Sequence, residues 1–417
     1  MKENRHHGGP ELLAPAGSRD SLTAALQAGA DAVYLGVGHL QMRAAGAAFS
    51  IPELPEVVEQ VHAAGKKLYV TLNTVVYEEE REELEKVLQA AAESGVDAVI
   101  AADPAVLEGG RKHNLPLHLS TQANICNLSA IRFYAAFADV MVLARELTLE
   151  QITALNEAIR RENITGPSGE LVRTEIFVHG ALCVAVSGKC YMSLAQHNAS
   201  ANRGDCLQAC RRKYEVTDKE TGFAYEVDNQ WVMSPKDLCT LPMLDRLLAS
   251  GVGVLKIEGR GRSPDYVHTV VGAYREAIDA WVAGTGEAFS VDDAMERLRS
   301  VFHRGFWEGG YYLGEKMDPW ARSSGSRATQ RKVFLGTVEN YFARQGVAEV
   351  HLAANDYQQG TPLLITGPTT GVVEAQPPAF RREEKEVTEA PRKSTITFPV
   401  PAKVRRGDKV YRLEERS

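Results

Sequence analysis

The feature that most constrains the fold is a repeated unit, which runs to about residue 260 and joins a short apolar run to an amphipathic helical stretch. The apolar runs are Glu11–Pro15, Ala32–Gly36, Lys67–Asn73, Asp97–Ala102, Leu117–Thr121, Val140–Ala144, Thr174–His179 and Gly253–Glu258. The helical stretches include Arg19–Ala28, Ile51–Ala64, Glu79–Glu93 and Leu149–Arg160. Uniformly apolar strands are typical of a parallel sheet, so eight such units predict a closed (β/α)8 barrel. An open doubly wound sheet is the alternative, disfavoured because no Gly-x-Gly-x-x-Gly follows the first strand.

The repeat is interrupted once, where residues 180–251 replace the usual loop and helix between the seventh and eighth runs. An insertion of this length is usually functional. Within it we predict a hairpin near Tyr214–Trp231 and a helix at Leu238–Ala249. Beyond the eighth run, Asp265–Ala283 predicts a long amphipathic helix that completes the outer ring.

The last part of the chain has a different pattern, with short alternating apolar runs separated by glycine and proline. The predicted strands include Lys332–Leu335, Ala348–Leu352, Leu363–Thr366 and Ser394–Phe398. This pattern predicts a small β-barrel domain over residues 333–417, after a catalytic barrel domain over residues 1–320.

Charge and hydropathy limit the partners of the chain. The formal net charge is -7, so any contact with nucleic acid must use local basic patches. No apolar stretch approaches the ~20 residues that a membrane span needs, and the first ten residues lack the apolar region of a signal peptide. We therefore expect a cytoplasmic protein that does not enter membranes.

Four of the six cysteines lie within 28 consecutive residues of the insertion, in the pattern Cys-x6-Cys-x15-Cys-x3-Cys. They are Cys183, Cys190, Cys206 and Cys210. Such clustering in a chain without a secretion signal indicates metal ligation rather than disulfides. Four thiolates can bind a [4Fe-4S] cluster or a structural zinc ion, and the lack of Cys-x-x-Cys pairs favours the cluster.

Other interpretations of the thiols stay open. The four cysteines could pack as small apolar residues, or one could act as a nucleophile assisted by His179. Cys239 is a further candidate ligand if the fold brings it close to the others.

Polar residues follow the strand ends, where a barrel of this kind carries its chemistry. The period of two places Lys256 and Glu258 on one face of the last strand, and we expect that face to point inward. The candidate catalytic residues are Lys256, Glu258, Arg260 and His179. The candidate substrate-binding residues are Asn73, Gln122, Asn124, Arg145, Arg203 and Arg211. The alternative is that these groups are ordinary solvated strand ends.

Several segments resemble signatures of the peptidase U32 family, also called collagenase-like proteases. They are Glu11–Gly17, Gly29–Gly36, Phe177–Cys183 and Leu255–Ser263, and the resemblance covers nearly the whole chain. It implies an oxygen-independent hydroxylase with a four-cysteine [4Fe-4S] cluster, acting on tRNA, rRNA or a quinone precursor.

Two further segments, Asn202–Gly204 and Cys210–Arg211, most resemble the branch that forms 5-hydroxyuridine at the wobble position of tRNA. For that branch the resemblance implies prephenate, a small carboxylate, as the hydroxyl donor, and a family paralogue as a hetero-partner. The family label leaves a second hypothesis, a peptidase whose cysteines bind structural zinc. Neither His-Glu-x-x-His nor Gly-x-Ser-x-Gly occurs in the sequence to support it.

Overall fold

Eight parallel strands form a closed barrel in the computed structural model, which describes residues 8–42, 49–186, 189–212, 214–227, 234–314, 320–321 and 325–416. The strands are β1 (Glu11–Pro15), β2 (Ala32–Gly36), β3 (Lys67–Leu72), β4 (Ala98–Ala101), β5 (Leu117–Leu119), β6 (Val140–Val142), β7 (Arg173–Gly180) and β8 (Val254–Ile257). They pair in chain order, and β8 pairs with both β7 and β1, which closes the ring. The predicted (β/α)8 barrel is therefore confirmed.

Helices cover the outside of the barrel, and their apolar faces pack on the outward-facing side chains of the strands. These helices are Arg19–Gln27, Leu54–Ala63, Arg81–Ser94, Pro104–Lys112, Leu128–Tyr134, Leu149–Arg161, Leu244–Ala249, Pro264–Val282 and Val291–Ser300, while the short helix Met192–His197 lies in the insertion at the cavity. Several have strong end signals; Arg81–Ser94, for example, ends at Gly95, whose left-handed backbone suits glycine. In the described part of the chain, no helix is both long enough and apolar enough to cross a bilayer.

The insertion between β7 and β8 departs from the regular βα unit. Its hairpin pairs Tyr214–Thr217 with Ala224–Val227, while Trp231, the end of the predicted hairpin, lies outside the described residues. A short strand, Asp237–Cys239, then pairs antiparallel with the end of β7 and parallel with Phe306–Glu308.

The predicted helix Leu238–Ala249 is wrong at its beginning, because the α-helix starts only at Leu244. Leu238 and Cys239 are strand residues, held by pairing with Gly180 and His179 of β7. Leu241–Met243 forms a single 3-10 turn that leads into the α-helix. Long-range strand pairing thus overrides the local helical pattern.

The C-terminal part of the chain forms an eight-stranded antiparallel sheet around its own apolar core. Its strands are Gln330–Phe342, Val347–Leu352, Leu363–Gly367, Gly371–Ala375, Phe380–Arg382, Lys385–Val387, Thr395–Pro399 and Lys409–Glu415. The sheet packs on the first helix of the barrel, where Thr23 Oγ1 donates to the Pro368 carbonyl and Gln27 Nε2 donates to the Thr370 carbonyl, both at 2.6 Å. The two parts of the chain are therefore joined by a specific contact.

Candidate active site

A cavity of about 210 Å³ opens at the carboxyl end of the barrel strands. Side chains of the strands themselves line it from within the barrel, among them Tyr34, Thr71, Phe177 and Lys256. The insertion also contributes to the lining, through Ala181, Leu182, Cys183, Val184, Cys190, Met192, Ser193, Ala201, Cys206, Gln208, Ala209, Cys210 and Arg211. The insertion therefore lies over the end of the barrel that carries the chemistry in this fold.

All four clustered cysteines line this cavity. Burial raises the pKa of the Cys210 thiol; Arg211 opposes that shift, and Cys183, Cys206 and Cys190 add to it. Within the described residues, no three His, Cys, Asp or Glu side chains gather closely enough to hold a single metal ion. The four thiols nevertheless line one shared cavity, and four thiolates are the donor set of a [4Fe-4S] cluster.

The remaining two cysteines lie elsewhere. Cys239 is fully buried, its Sγ lies 3.6 Å from Sδ of Met295, and burial raises its pKa to about 12. Cys126 is exposed beside Asn127. Neither lines the cavity, so Cys210 rather than Cys239 shares it with the other three thiols.

Arg203 attaches the insertion to the loop after β3. Its guanidinium pairs with Glu80, donates to the Val75 carbonyl at 2.8 Å and stacks over the ring of Tyr77. The hydrogen bond from Arg203 lowers the pKa of Glu80 to about 2. Arg203, a predicted substrate-binding residue, does not line the cavity; the structure places it in an ion-pair latch, which we call the Arg203–Glu80 latch.

Two other predicted arginines do line the cavity, next to the first cysteine. Arg145 donates to the Ala181 carbonyl at 3.3 Å and stacks on the ring of Phe177. Arg211 donates to the Leu182 carbonyl at 2.8 Å and to Ser234 Oγ at 3.0 Å. Both guanidiniums are held by consecutive carbonyls just before Cys183, and in the described residues they hydrogen-bond only to uncharged acceptors.

Asn73 and Gln122 also reach the cavity, whereas Asn124 does not. Ser120 links the first two, because Asn73 Nδ2 donates to Ser120 Oγ at 3.3 Å and Ser120 Oγ donates to Gln122 Oε1. Asn124 is exposed and has a left-handed backbone with φ 59°, a conformation that asparagine adopts more readily than most residues. The left-handed backbone therefore accounts for an asparagine at position 124 without a role in substrate binding.

Lys256 and Glu258 both line the cavity, so they point inward as predicted, and Arg260 lines it too. Lys256 Nζ lies 2.7 Å from Oε1 of Glu175, a buried carboxylate. Arg260 donates to Gln41 Oε1 at 2.6 Å and to Thr71 Oγ1 at 2.8 Å. The Glu258 side chain is partly exposed at the rim.

His179 lies outside the cavity lining. The pairing of β7 with β8 shifts between Lys256 and Ile257, so that Ile257 pairs with His179 and Val178 is skipped. This irregularity places His179 among the rings of Tyr266, Tyr274 and Phe306. Burial there lowers its pKa to about 3, which keeps the imidazole neutral.

The family model for Peptidase family U32 matches residues 17–322. The chain belongs to peptidase family U32. The match begins just after β1, covers the rest of the barrel and its insertion, and stops before the C-terminal sheet.

Three curated relatives of this U32 chain carry two kinds of name. A protein named collagenase, from Porphyromonas gingivalis strain W83, is 46% identical over 97% of this chain and 98% of its own length. A Bacillus subtilis protein named tRNA hydroxylation protein P1 is 36% identical over 80% of this chain and 78% of its own length. The tRNA hydroxylation protein P of Escherichia coli is 30% identical over 86% of each chain.

Gly180 follows His179 in one of the segments that carry the U32 resemblance, and its backbone accepts only glycine. Its φ is 108°, and an added Cβ would lie 2.5 Å from the Glu258 carbonyl oxygen. Gly17 meets the same loop, since its Cβ would lie 1.7 Å from the Arg260 carbonyl oxygen. These two glycines let neighbouring loops approach the loop that carries Glu258 and Arg260.

Sequence reasoning missed several charged residues of this U32 site. Arg262 and Arg304 line the cavity, and Arg304 pairs with the buried Asp237 at 3.2 Å. Glu175 lies beneath the cavity and pairs with Lys256. A signal for Glu175 was present, because it is a single carboxylate inside the apolar run of β7, two residues before Phe177.

Proposed function

We propose that this protein is an iron-sulfur-dependent, oxygen-independent RNA hydroxylase that forms 5-hydroxyuridine at the wobble position of tRNA. The observation that carries the proposal is one cavity that combines four thiols with arginine side chains at the carboxyl end of the barrel. Relatives named for tRNA hydroxylation match this chain over most of its length. The names of these relatives are the basis for proposing tRNA as the substrate.

The thiols Cys183, Cys190, Cys206 and Cys210 would hold the cluster. When bound, a [4Fe-4S] cluster would supply electron transfer or Lewis-acid chemistry at the cavity. Arg145 and Arg211 lie beside the segment before Cys183 and would offset the negative charge of the thiolates. Zinc in place of the cluster is the alternative, and metal analysis of the purified protein distinguishes the two.

A small carboxylate is the second expected ligand, with prephenate as the hydroxyl donor. Guanidinium groups bind carboxylates through paired, charge-assisted hydrogen bonds. Arg145, Arg211 and Arg260 all border the cavity, whereas Glu258 is the one carboxylate among its described lining residues. The charge balance of the cavity therefore favours an anionic ligand.

The RNA would approach over the insertion, because the insertion borders the cavity and carries exposed basic side chains such as Lys189 and Arg212. Local contacts of this kind are needed, since the whole chain carries a net charge of -7. A family paralogue as hetero-partner remains a prediction, which co-purification of the tagged protein tests.

The deciding experiment is mass spectrometry of tRNA from a strain that lacks the gene. The proposal predicts loss of 5-hydroxyuridine and its recovery when the gene is restored on a plasmid. Unchanged 5-hydroxyuridine in a strain with no second enzyme for this modification would refute it. Absorbance near 400 nm after anaerobic purification tests the cluster separately.

A peptidase is the second candidate function, favoured by the name of the Porphyromonas gingivalis relative. Against it, His179 is buried away from the cavity, so it cannot assist a cavity thiol as a base. Incubation of the purified protein with gelatin, with the Cys183→Ser variant as control, tests this function. We expect no cleavage above that of the variant.

A further inference from the structure

A buried ion pair lies at the inner end of the cavity. Lys256 Nζ is 2.7 Å from Glu175 Oε1, and the two side chains are 6% and 0% exposed. The ammonium also lies over the rings of Tyr34 and Phe177, at 4.6 Å and 5.5 Å from their centroids. Lys256 and both rings line the cavity, while Glu175 precedes Phe177 by two residues on β7 and lies one layer deeper.

Stability alone does not account for this pair. Removing two charges from water costs more than their attraction returns unless further hydrogen bonds complete both groups. Glu175 lacks that completion, because its Oε2 is buried and has no hydrogen-bond partner in the described residues. Glu11, in the same barrel interior, accepts from Tyr69, Lys67 and Arg173 and uses both of its oxygens.

We propose that Glu175 is a positioning residue that holds Lys256 as the proton donor of the cavity. The donated proton passes from Lys256 Nζ to an oxygen of the bound anionic ligand. The neutral amine that remains stays hydrogen-bonded to the Glu175 carboxylate, and a proton from solvent restores the ammonium. The proposal rests on the proposed function only for the identity of the ligand.

The charged surroundings of Lys256 are consistent with this role. Burial lowers the pKa of Lys256, Glu175 opposes the shift, and Arg260 and Arg145 add to it. Burial raises the pKa of Glu175, and Lys256 opposes that shift. The other titratable or charged groups near the pair are Tyr34 on β2, Tyr69 on β3, His118 on β5, Glu11 on β1 and, on the strand of Glu175 itself, Arg173.

The test measures the titration of Lys256 directly. The full-length protein is treated with trace acetic anhydride across a range of pH, and acetylation of Lys256 is quantified by peptide mass spectrometry. Only the neutral amine reacts, so the midpoint of the profile reports the pKa of Lys256. Limited access to the side chain lowers the rate at every pH but does not move the midpoint. Glu175→Gln keeps the shape and an acceptor oxygen but removes the charge that stabilises the ammonium.

We expect the midpoint in Glu175→Gln to fall by about one pH unit or more, which is a tenfold faster acetylation at a fixed pH below the midpoint. Glu11→Gln is the matched control, another buried carboxylate of the interior that is not hydrogen-bonded to Lys256, and should shift the midpoint less than Glu175→Gln does. An unchanged midpoint in Glu175→Gln, or an equal shift in Glu11→Gln, would overturn the proposal.

Two further measurements cover the remaining outcomes. If Glu175→Gln does not fold by near-ultraviolet circular dichroism, Glu175→Asp keeps the charge at a longer distance and should give a smaller shift in the same direction. In the folded Glu175→Gln variant, the hydroxylation rate should begin to fall with rising pH at a correspondingly lower pH than in the wild type, because Lys256 must be protonated to donate. The acetylation profile needs neither RNA nor cluster, so a failure of the proposed function is distinguishable from a failure of this proposal.

Discussion

The two ends of the barrel interior use the same residue types in opposite ways. At the amino end, Glu11 accepts from Tyr69 at 2.6 Å and from Lys67 at 3.1 Å, so its charge is fully compensated. At the carboxyl end, Arg145 and Arg211 hydrogen-bond only to uncharged acceptors of the described residues. Lys256 lines the cavity there and reaches down to Glu175, one of whose oxygens is unpartnered in the described residues. Complete pairing of the charged side chains stabilises the amino end of the barrel. Incomplete pairing at the carboxyl end leaves charge available to a ligand.

The largest expected effect is at the thiols of the carboxyl end. Cys206→Ser should abolish absorbance near 400 nm in the anaerobic protein and reduce hydroxylation to background, because a cluster loses one of its four ligands. Cys126→Ser is the control, since Cys126 is exposed and outside the cavity lining, and it should leave both signals intact. A coloured, active Cys206→Ser protein would remove Cys206 from the ligand set.

At the amino end, the effect should appear in stability instead of chemistry. Glu11→Ala leaves the buried hydroxyl of Tyr69 and the nearby Lys67 and Arg173 without their acceptor. Breaking a buried pair in this way costs about 3–5 kcal/mol, to be measured by urea unfolding. Activity per folded molecule should stay close to that of the wild type; a large loss of activity would mean that the two ends are not separate.

A smaller effect is expected for the arginines beside Cys183. Arg145→Gln should weaken binding of a small dicarboxylate about 10- to 100-fold, or about 1.4–2.7 kcal/mol, as measured by calorimetry. Arg132→Gln removes an arginine that pairs with Glu162 on the outer surface and should change the affinity little. Equal losses in the two variants would indicate a general charge effect.

The smallest effect concerns the Arg203–Glu80 latch. The pKa of Glu80 is lowered to about 2 in the folded protein, so its contribution is complete above the ordinary value of 4.5 and is lost as pH falls toward 2. The protection of the Val75 amide, which bonds to the Asn202 carbonyl, should therefore fall over that interval when its exchange rate is divided by the rate of an unprotected amide at the same pH. Arg203→Gln should raise the exchange already at neutral pH, whereas Arg212→Gln should not.

Much of the fold was predictable because its signals are local. The apolar runs gave all eight barrel strands, and the helices at Arg19–Gln27 and Pro264–Val282 begin and end within a residue of their predicted bounds. The region at Leu238 was mispredicted because its backbone hydrogen bonds go to β7, about 60 residues earlier in the chain. No local pattern carries that information.

The site was predictable in part for the same reason. Lys256 reaches the cavity because the alternation of side chains along β8 fixes its face, and Glu258 and Arg260 reach it from the loop that follows that strand. That alternation fails at His179, where a shift in strand register turns the ring into aromatic packing. Arg203 was assigned to substrate because its partner, Glu80, lies on a distant loop.

The sequence by itself determined the barrel and the four clustered cysteines, since periodicity and spacing are properties of neighbouring residues. Only the tertiary structure decided which charges are compensated. Glu175 finds Lys256 on the next strand, and Glu11 finds Lys67 and Arg173 across the barrel interior. The difference between the two ends therefore comes from the closure of the ring, which brings distant strands together around one axis.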